Sequence, residues 1–214
     1  MDAIEAHEQD TNQYDQQAVE WGWNPVVFFG LMGAYALPGK RLLDVGIGTG
    51  LCSEPFFKAG VEISGFDGSE KMLRCCRNKH ISDDLKKHLF EDVPWPYEDA
   101  CFDLVIAGGV LHFLGSLELF FKEAKRVLKP KGVFSFTTAV LDQGNVEKGA
   151  LPADEPYARV LDAASGVRIY KHGERYIQNL LETLGMTAHK KLTFLASRNP
   201  QTGAEHYNTL FVAR

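Results

Sequence analysis

The segment Arg41–Gly50 constrains this chain more than any other. Leu42, Leu43 and Val45 form a short, branched apolar run with the character of a strand buried in a parallel sheet. Gly46, Gly48 and Gly50 follow at alternate positions. Glycine reaches positive φ without steric cost and carries no Cβ, so such a bend lets main-chain amides approach a ligand closely. Ser53, Glu54 and Pro55 suit the first turn of a helix, and Gly60 suits the position just past its end. Strand, glycine bend and helix make the nucleotide-binding opening of a doubly wound α/β fold.

The spacing within the bend bears on which nucleotide is meant. A dinucleotide fingerprint places its third glycine at position 51, where this chain has Leu51. Asp44 precedes the first glycine by two residues. A carboxylate there repels a pyrophosphate and suits a ligand carrying an ammonium or sulfonium group. The run Asp44-x-Gly-x-Gly-x-Gly50 resembles motif I of the class I S-adenosylmethionine-dependent methyltransferases. The resemblance implies S-adenosylmethionine as cofactor, held by Asp44, Gly46, Ile47, Gly48 and Gly50. A dinucleotide-dependent oxidoreductase is the competing reading of the bend.

Further along, Val61–Asp67 reads as a second strand ending in an acid that can accept both hydroxyl protons of a ribose. Ser69 then caps a helix carrying Met72 and Leu73. Asp-Gly-Ser-Glu-Lys-Met-Leu is similar to the Asp-x-Ser-x-x-Met-Leu run of small-molecule members of the family. This implies that Asp67, Gly68 and Ser69 sit at the ribose and Met72 beside the adenine. His88–Asp92 is expected to be the third strand. The resemblance gives Asp92 and the Val93 amide the adenine amino group. Cys101–Ala107 is the fourth strand, after which the family lines the methionine end of its cofactor, here from Ala107 onward. His112 titrates near neutrality and is the candidate general base.

The remaining elements frame this core. Asn24-Pro25 opens a helix over Val26–Leu37, and Tyr14, Trp21 and Trp23 are candidates for a lid over the cofactor. Ser116–Leu128 is amphipathic, and Lys129-Pro130-Lys131-Gly132 is a turn. Family members have Pro-Gly-Gly there, so Lys131 suggests a turn without positive φ at that point. Val133–Thr138 is the fifth strand. Leu141–Gly166 has loop composition and reads as a cap over the substrate pocket. Arg168, Tyr170 and His172 alternate, so an extended segment puts all three on one side as possible acceptor contacts. Tyr176, Leu180 and Leu184 keep helical spacing, and Leu192–Ala196 with Tyr207–Val212 closes the sheet.

The expected architecture is therefore α/β: a Rossmann-like, mostly parallel seven-stranded sheet with an antiparallel edge strand, N-terminal helices and a cap after the fifth strand. One domain over 1–214 is expected, divided as 1–39 arm, 40–139 cofactor core, 140–171 cap and 172–214 closing helix and strands. The net charge of −5 and the absence of a basic run disfavour nucleic acid as partner. The Asn/Asp-Pro-Pro-aromatic motif of amino-methylating nucleic-acid enzymes is replaced by Ala107-Gly-Gly-Val110. No run of about 18 apolar residues exists, and the polar start does not read as a signal peptide. Cys52, Cys75, Cys76 and Cys101 show no metal spacing and read as reduced thiols of a cytoplasmic protein, monomer or homodimer, with no metal. A small-molecule methyltransferase is the leading expectation. A non-catalytic cofactor binder and a methyltransferase of macromolecules are the alternatives.

Overall fold

β1 (Arg41–Val45) is buried from Leu42 to Val45, and its two sides feed two separate cores. Leu43 and Val45 join Phe66, Phe134 and Phe211 on one side. Leu42 joins Ile63, Leu104 and Val212 on the other. Alternation of side chains along each strand makes this division. A fully buried Leu, Val or Phe contributes about 1.5–3 kcal/mol, so both faces of the sheet need covering.

The computed structural model describes residues 13–139, 156–161 and 167–214. Helices α1 (Tyr14–Glu20) and α2 (Val26–Met32) precede β1, and α3 (Glu54–Lys58) follows it. Next come β2 (Glu62–Asp67), α4 (Glu70–Asn78), β3 (Asp84–Lys87), β4 (Phe102–Ala107), α5 (Glu118–Val127) and β5 (Leu128–Ala139). After them stand β6 (Tyr157–Leu161), β7 (Arg168–His172), α6 (Glu174–Thr183), β8 (Ala188–Arg198) and β9 (Glu205–Ala213). Seven strands form one sheet in the order β3-β2-β1-β4-β5-β9-β8. Strands β1 to β5 run parallel, while β9 runs against both β5 and β8. The sequence-based architecture holds, with the reversed strand one place in from the edge. Phe120, Phe121 and Val127 of α5 with Ile177 and Leu181 of α6 cover one face. Phe28 and Met32 of α2, Phe56 of α3 and Leu73 of α4 cover the other.

Three expectations need correction. The third strand is Asp84–Lys87, not His88–Asp92. It pairs Ser64–Asp67 with Asp84–Lys87, so it ends level with the tip of β2. His88–Asp92 is a turn, closed by Asp92 N to Leu89 O at 3.1 Å and by the His88 ring on Asp92 O at 2.8 Å. The helix after Pro25 stops at Met32 rather than Leu37, passing into turns through Tyr35. Lys131 does adopt positive φ, at 65°. Between Phe102↔Leu128 and Leu104↔Val133, two positions along β4 match five along β5. The surplus is taken up by a bulge, and Lys131 supplies its left-handed residue.

The expected cap lies largely outside the described residues. Of that stretch, Tyr157–Leu161 is a strand and pairs antiparallel with β7 in a separate two-stranded sheet. Among the described residues, no helix is long and apolar enough to cross a membrane.

Candidate active site

The strands of the parallel sheet end at one edge, and the glycine bend sits there between β1 and α3. All three bend glycines have positive φ, yet they do different things. A Cβ on Gly46 would lie 2.6 Å from Val110, and one on Gly50 would lie 2.5 Å from Ile81. Those two are small because protein packs against them. A Cβ on Gly48 would meet nothing within 4 Å, and the same holds for Gly109, at the end of β4, where φ is 70°. Gly48 and Gly109 are therefore the places where main chain faces open space.

Asp67, at the tip of β2, accepts the Gly48 amide at 2.9 Å and the Ser69 amide at 2.8 Å, one on each carboxylate oxygen. Ser69 is itself held as the cap of α4, accepting the Met72 amide at 3.2 Å. Asp44 is buried beneath the bend and accepts the Ser53 hydroxyl at 2.7 Å. Burial pushes its carboxyl up to about 7, the Ser53 hydrogen bond opposes that, and the Asp67 charge adds to it. At neutral pH such a group is only partly ionised, and a cation placed beside it would complete the ionisation.

A cavity of about 680 Å³ opens over this edge. Small-molecule sites occupy roughly 300–1,000 Å³. Asp44, Gly46, Ile47 and Gly48 form its floor, and Gly108, Gly109 and His112 flank them from β4 and the short 3₁₀ turn Leu111–Phe113. Tyr14, Trp21 and Trp23 close one side, as a lid would. Burial drives the Tyr14 phenol up to about 12, with the neighbouring Cys52, Asp67 and Asp15 adding to the effect, so it stays a neutral donor. The arm is tied down through Asp15, which accepts the Thr49 hydroxyl and pairs with Lys79, both at 2.5 Å. Val167, Ile169 and Lys171 of the β7 segment, with Asn199 just past β8 and Asn208 of β9, form the far wall.

Not every expected residue lines this cavity. Tyr14, Asp44, Gly46, Ile47, Gly48 and His112 do, whereas Gly50, Asp67, Gly68, Ser69, Met72, Asp92, Val93 and Ala107 do not. Met72 and Ala107 are core residues, at 4% and 0% exposure, and Gly108 and Gly109 occupy the place expected of Ala107. Asp92 and Val93 stand exposed on the loop beyond β3. Arg168, Tyr170 and His172 share one side of β7, but it is the wrong side for acceptor contacts. Tyr170 packs on Tyr157, and His172 is buried against Tyr157 and Tyr176. The alternate set, Val167, Ile169 and Lys171, faces the cavity, because a strand sends successive side chains to opposite faces. Lys171 escaped sequence reasoning for that reason. Gly109 was visible as a strand-ending glycine, but its open-space position was not.

Residues 43–136, which run from β1 to β5 and contain the bend, match the family described as "Methyltransferase domain". This part of the chain is similar to that domain. Sequence relatives of the methyltransferase domain include the mitochondrial ubiquinone biosynthesis O-methyltransferase of Mus musculus, 29% identical over 125 residues, 56% of this chain and 34% of the relative. The malonyl-[acyl-carrier protein] O-methyltransferase of Erwinia pyrifoliae is 34% identical over 116 residues, 53% of this chain and 43% of the relative. The chain thus spans well under half the length of these curated relatives. Its fold is similar to that of the Burkholderia thailandensis 1,6-didemethyltoxoflavin-N1-methyltransferase, solved with 1,6-didemethyltoxoflavin and S-adenosylhomocysteine bound. That likeness has a TM-score of 0.69 at 17% identity and covers 99% of this chain and 87% of the other.

Proposed function

We propose that this chain transfers a methyl group from S-adenosylmethionine to a small-molecule acceptor. The observation that carries this reading is the open main chain at Gly48 and Gly109 in the lining of the cavity, with Asp44 also lining it and Asp67 accepting the Gly48 amide. The residues fit the cofactor. Gly48 leaves room for a ligand where a side chain would intrude, and Asp67 is a carboxylate at the tip of β2, the type of group and position that accepts ribose hydroxyls. Asp44 offers a carboxyl that a neighbouring cation would ionise.

In this reading Asp67, with Gly68 and Ser69, holds the ribose. Asp92 and the Val93 amide take the adenine amino group, and Met72 packs beneath. Asp44, with the Gly46–Gly48 bend and Tyr14, holds the charged methionine end. When bound, S-adenosylmethionine supplies a methyl group already activated on a positive sulfur. The chain's task is then to align an acceptor with it and exclude water, and alignment of this kind supplies most of the acceleration. His112 takes the proton from an acceptor that is protonated at neutral pH. The four cysteines are free thiols, which supports a reducing compartment, the cytoplasm, as the site of action.

The test is thermal unfolding with S-adenosylhomocysteine at one hundredfold over its dissociation constant, or with NAD at the same concentration. Stabilisation by about 2.7 kcal/mol, a rise in Tm of roughly 5–10 °C, is expected with the former. NAD should leave Tm unchanged, and Asp67→Ala should lose most of the S-adenosylhomocysteine shift. A shift with NAD alone would overturn the assignment.

A further inference from the structure

We infer that the far wall of the cavity selects an acceptor with a flat apolar body and a single carboxylate, and that the ammonium of Lys171 receives that carboxylate. The inference rests on the proposed reading of this cavity as a methyl-transfer site and specifies its acceptor.

Lys171 is the penultimate residue of β7, whose other face is anchored firmly. The His172 ring nitrogen Nε2 meets Gly115 O at 2.9 Å, and the ring stacks on Tyr176 with centroids 6.0 Å apart. The Tyr176 hydroxyl in turn accepts the Leu117 amide at 2.9 Å. Both contacts bind to the segment that follows the 3₁₀ turn carrying His112. Lys171 therefore leaves a rigid strand toward the cavity beside the turn that holds the candidate base.

The charges along the wall decide what Lys171 is for. Glu205, also at the cavity, accepts the Tyr207 hydroxyl at 2.7 Å and is paired with Arg198. Asp44 accepts Ser53. Among the described residues that line the cavity, Lys171 is the charged side chain with no hydrogen-bond or ion-pair partner. Lys171 is half-buried, follows apolar Val167 and Ile169 along the same side of β7, and leaves its charge available to an anionic ligand at the cavity.

The chemistry of the wall also limits the anion. A phosphate dianion is usually met by an Arg fork or a cluster of main-chain amides. Here one lysine faces the cavity, and two acids, Asp44 and Glu205, also line it. A monoanion matches that balance, and a carboxylate is the common one. Trp21, Trp23, Phe113 and Tyr207 supply the aromatic surface for a flat apolar body. With the carboxylate on Lys171, the other end of such a molecule lies toward His112 and the glycine edge.

The experiment uses the full chain saturated with S-adenosylhomocysteine and a panel of aromatic monocarboxylic acids, each paired with its primary amide. Binding is read by ligand-observed NMR and calorimetry. Acids should bind at least tenfold more tightly than their amides. Lys171→Met should remove that preference, about a tenfold or greater loss for the acids, as expected for a charge-assisted hydrogen bond. Lys171→Arg should retain most of it. S-adenosylhomocysteine affinity measured in Lys171→Met serves as the control for folding. Equal binding of acids and amides, no binding of any acid, or an acid preference that survives in Lys171→Met would overturn the inference. Failure of the wild-type chain to bind S-adenosylhomocysteine would instead overturn the reading of the cavity on which it rests.

Discussion

In the proposed reading, Asp44 and His112 carry most of the chemistry that single residues contribute to this site. The Asp44 carboxyl is pushed by burial above its ordinary value to about 7, so the folded state holds a proton that the unfolded chain has already released. Stability from this residue therefore falls as pH rises from about 4 to about 7, because the unfolded state binds fewer protons in that window. Asp44→Asn should flatten this part of the apo protein's Tm-against-pH curve. Calorimetry in two buffers of different ionisation enthalpy should show proton release when S-adenosylmethionine binds the wild type near pH 6.5, and none in Asp44→Asn. His112 lines the cavity half-buried, its ring 4.0 Å from that of Phe113. As a general base it should be worth roughly 10²- to 10⁴-fold in kcat. His112→Gln should lose that much with an identified acceptor while keeping its S-adenosylhomocysteine affinity. An unchanged kcat would remove His112 from the reaction.

Helix α5 and the loop that leads out of β3 are joined by a cluster that the strand-and-glycine pattern did not announce. Arg126 binds both oxygens of Glu123, at 2.9 and 2.7 Å, along with Asp99 at 2.7 Å and the carbonyls of Tyr97 and Trp95. Glu123 also accepts the Trp95 amide at 2.7 Å. Trp95, 2% exposed, is thereby locked against Phe66 and Phe120. This loop carries Asp92 and Val93, so the cluster positions the proposed adenine side of the site. Arg126→Ala should cost about 2–3 kcal/mol, the range for lost charge-assisted hydrogen bonds in a partly buried setting. Chemical denaturation should show the loss with little change in m-value. Arg126→Lys should rescue only part of it, since one ammonium cannot hold both carboxylate oxygens in the same fork.

Across the molecule, the site is assembled from parts far apart in the chain: the arm before β1, the bend, the turn after β4 and the β7 face. Asp15 links the first two of these through Thr49 and ties the arm to the end of α4 through Lys79, and the Arg198 amide donates to Trp21 O at 2.7 Å, linking the arm to the end of β8. Asp15→Ala should loosen α1 and weaken S-adenosylhomocysteine binding by about five- to tenfold, from the loss of hydrogen bonds worth about 1 kcal/mol or more. Tryptophan fluorescence from Trp21 and Trp23 should report the release. An unaltered affinity would show that the arm is not part of the cofactor site.

The sequence by itself determined the parallel core and its ligand-binding edge. An apolar run of β1's length followed by glycines at alternate positions has few ways to fold, and Asp44 and Asp67 stand a countable distance from that bend. Local chemistry could not say which glycines face a ligand. Gly46 and Gly50 are occupied by Val110 and Ile81, neighbours brought in by other elements, and only packing reveals Gly48 and Gly109 as open. It could not place β3 either. The strand end is set by register against Asp67, not by the residues of His88–Asp92 themselves. The alternation of β7 was legible, but its facing was not: the burial of His172 against Tyr176 and Gly115 turns Lys171 to the cavity, and that is a decision of tertiary contacts.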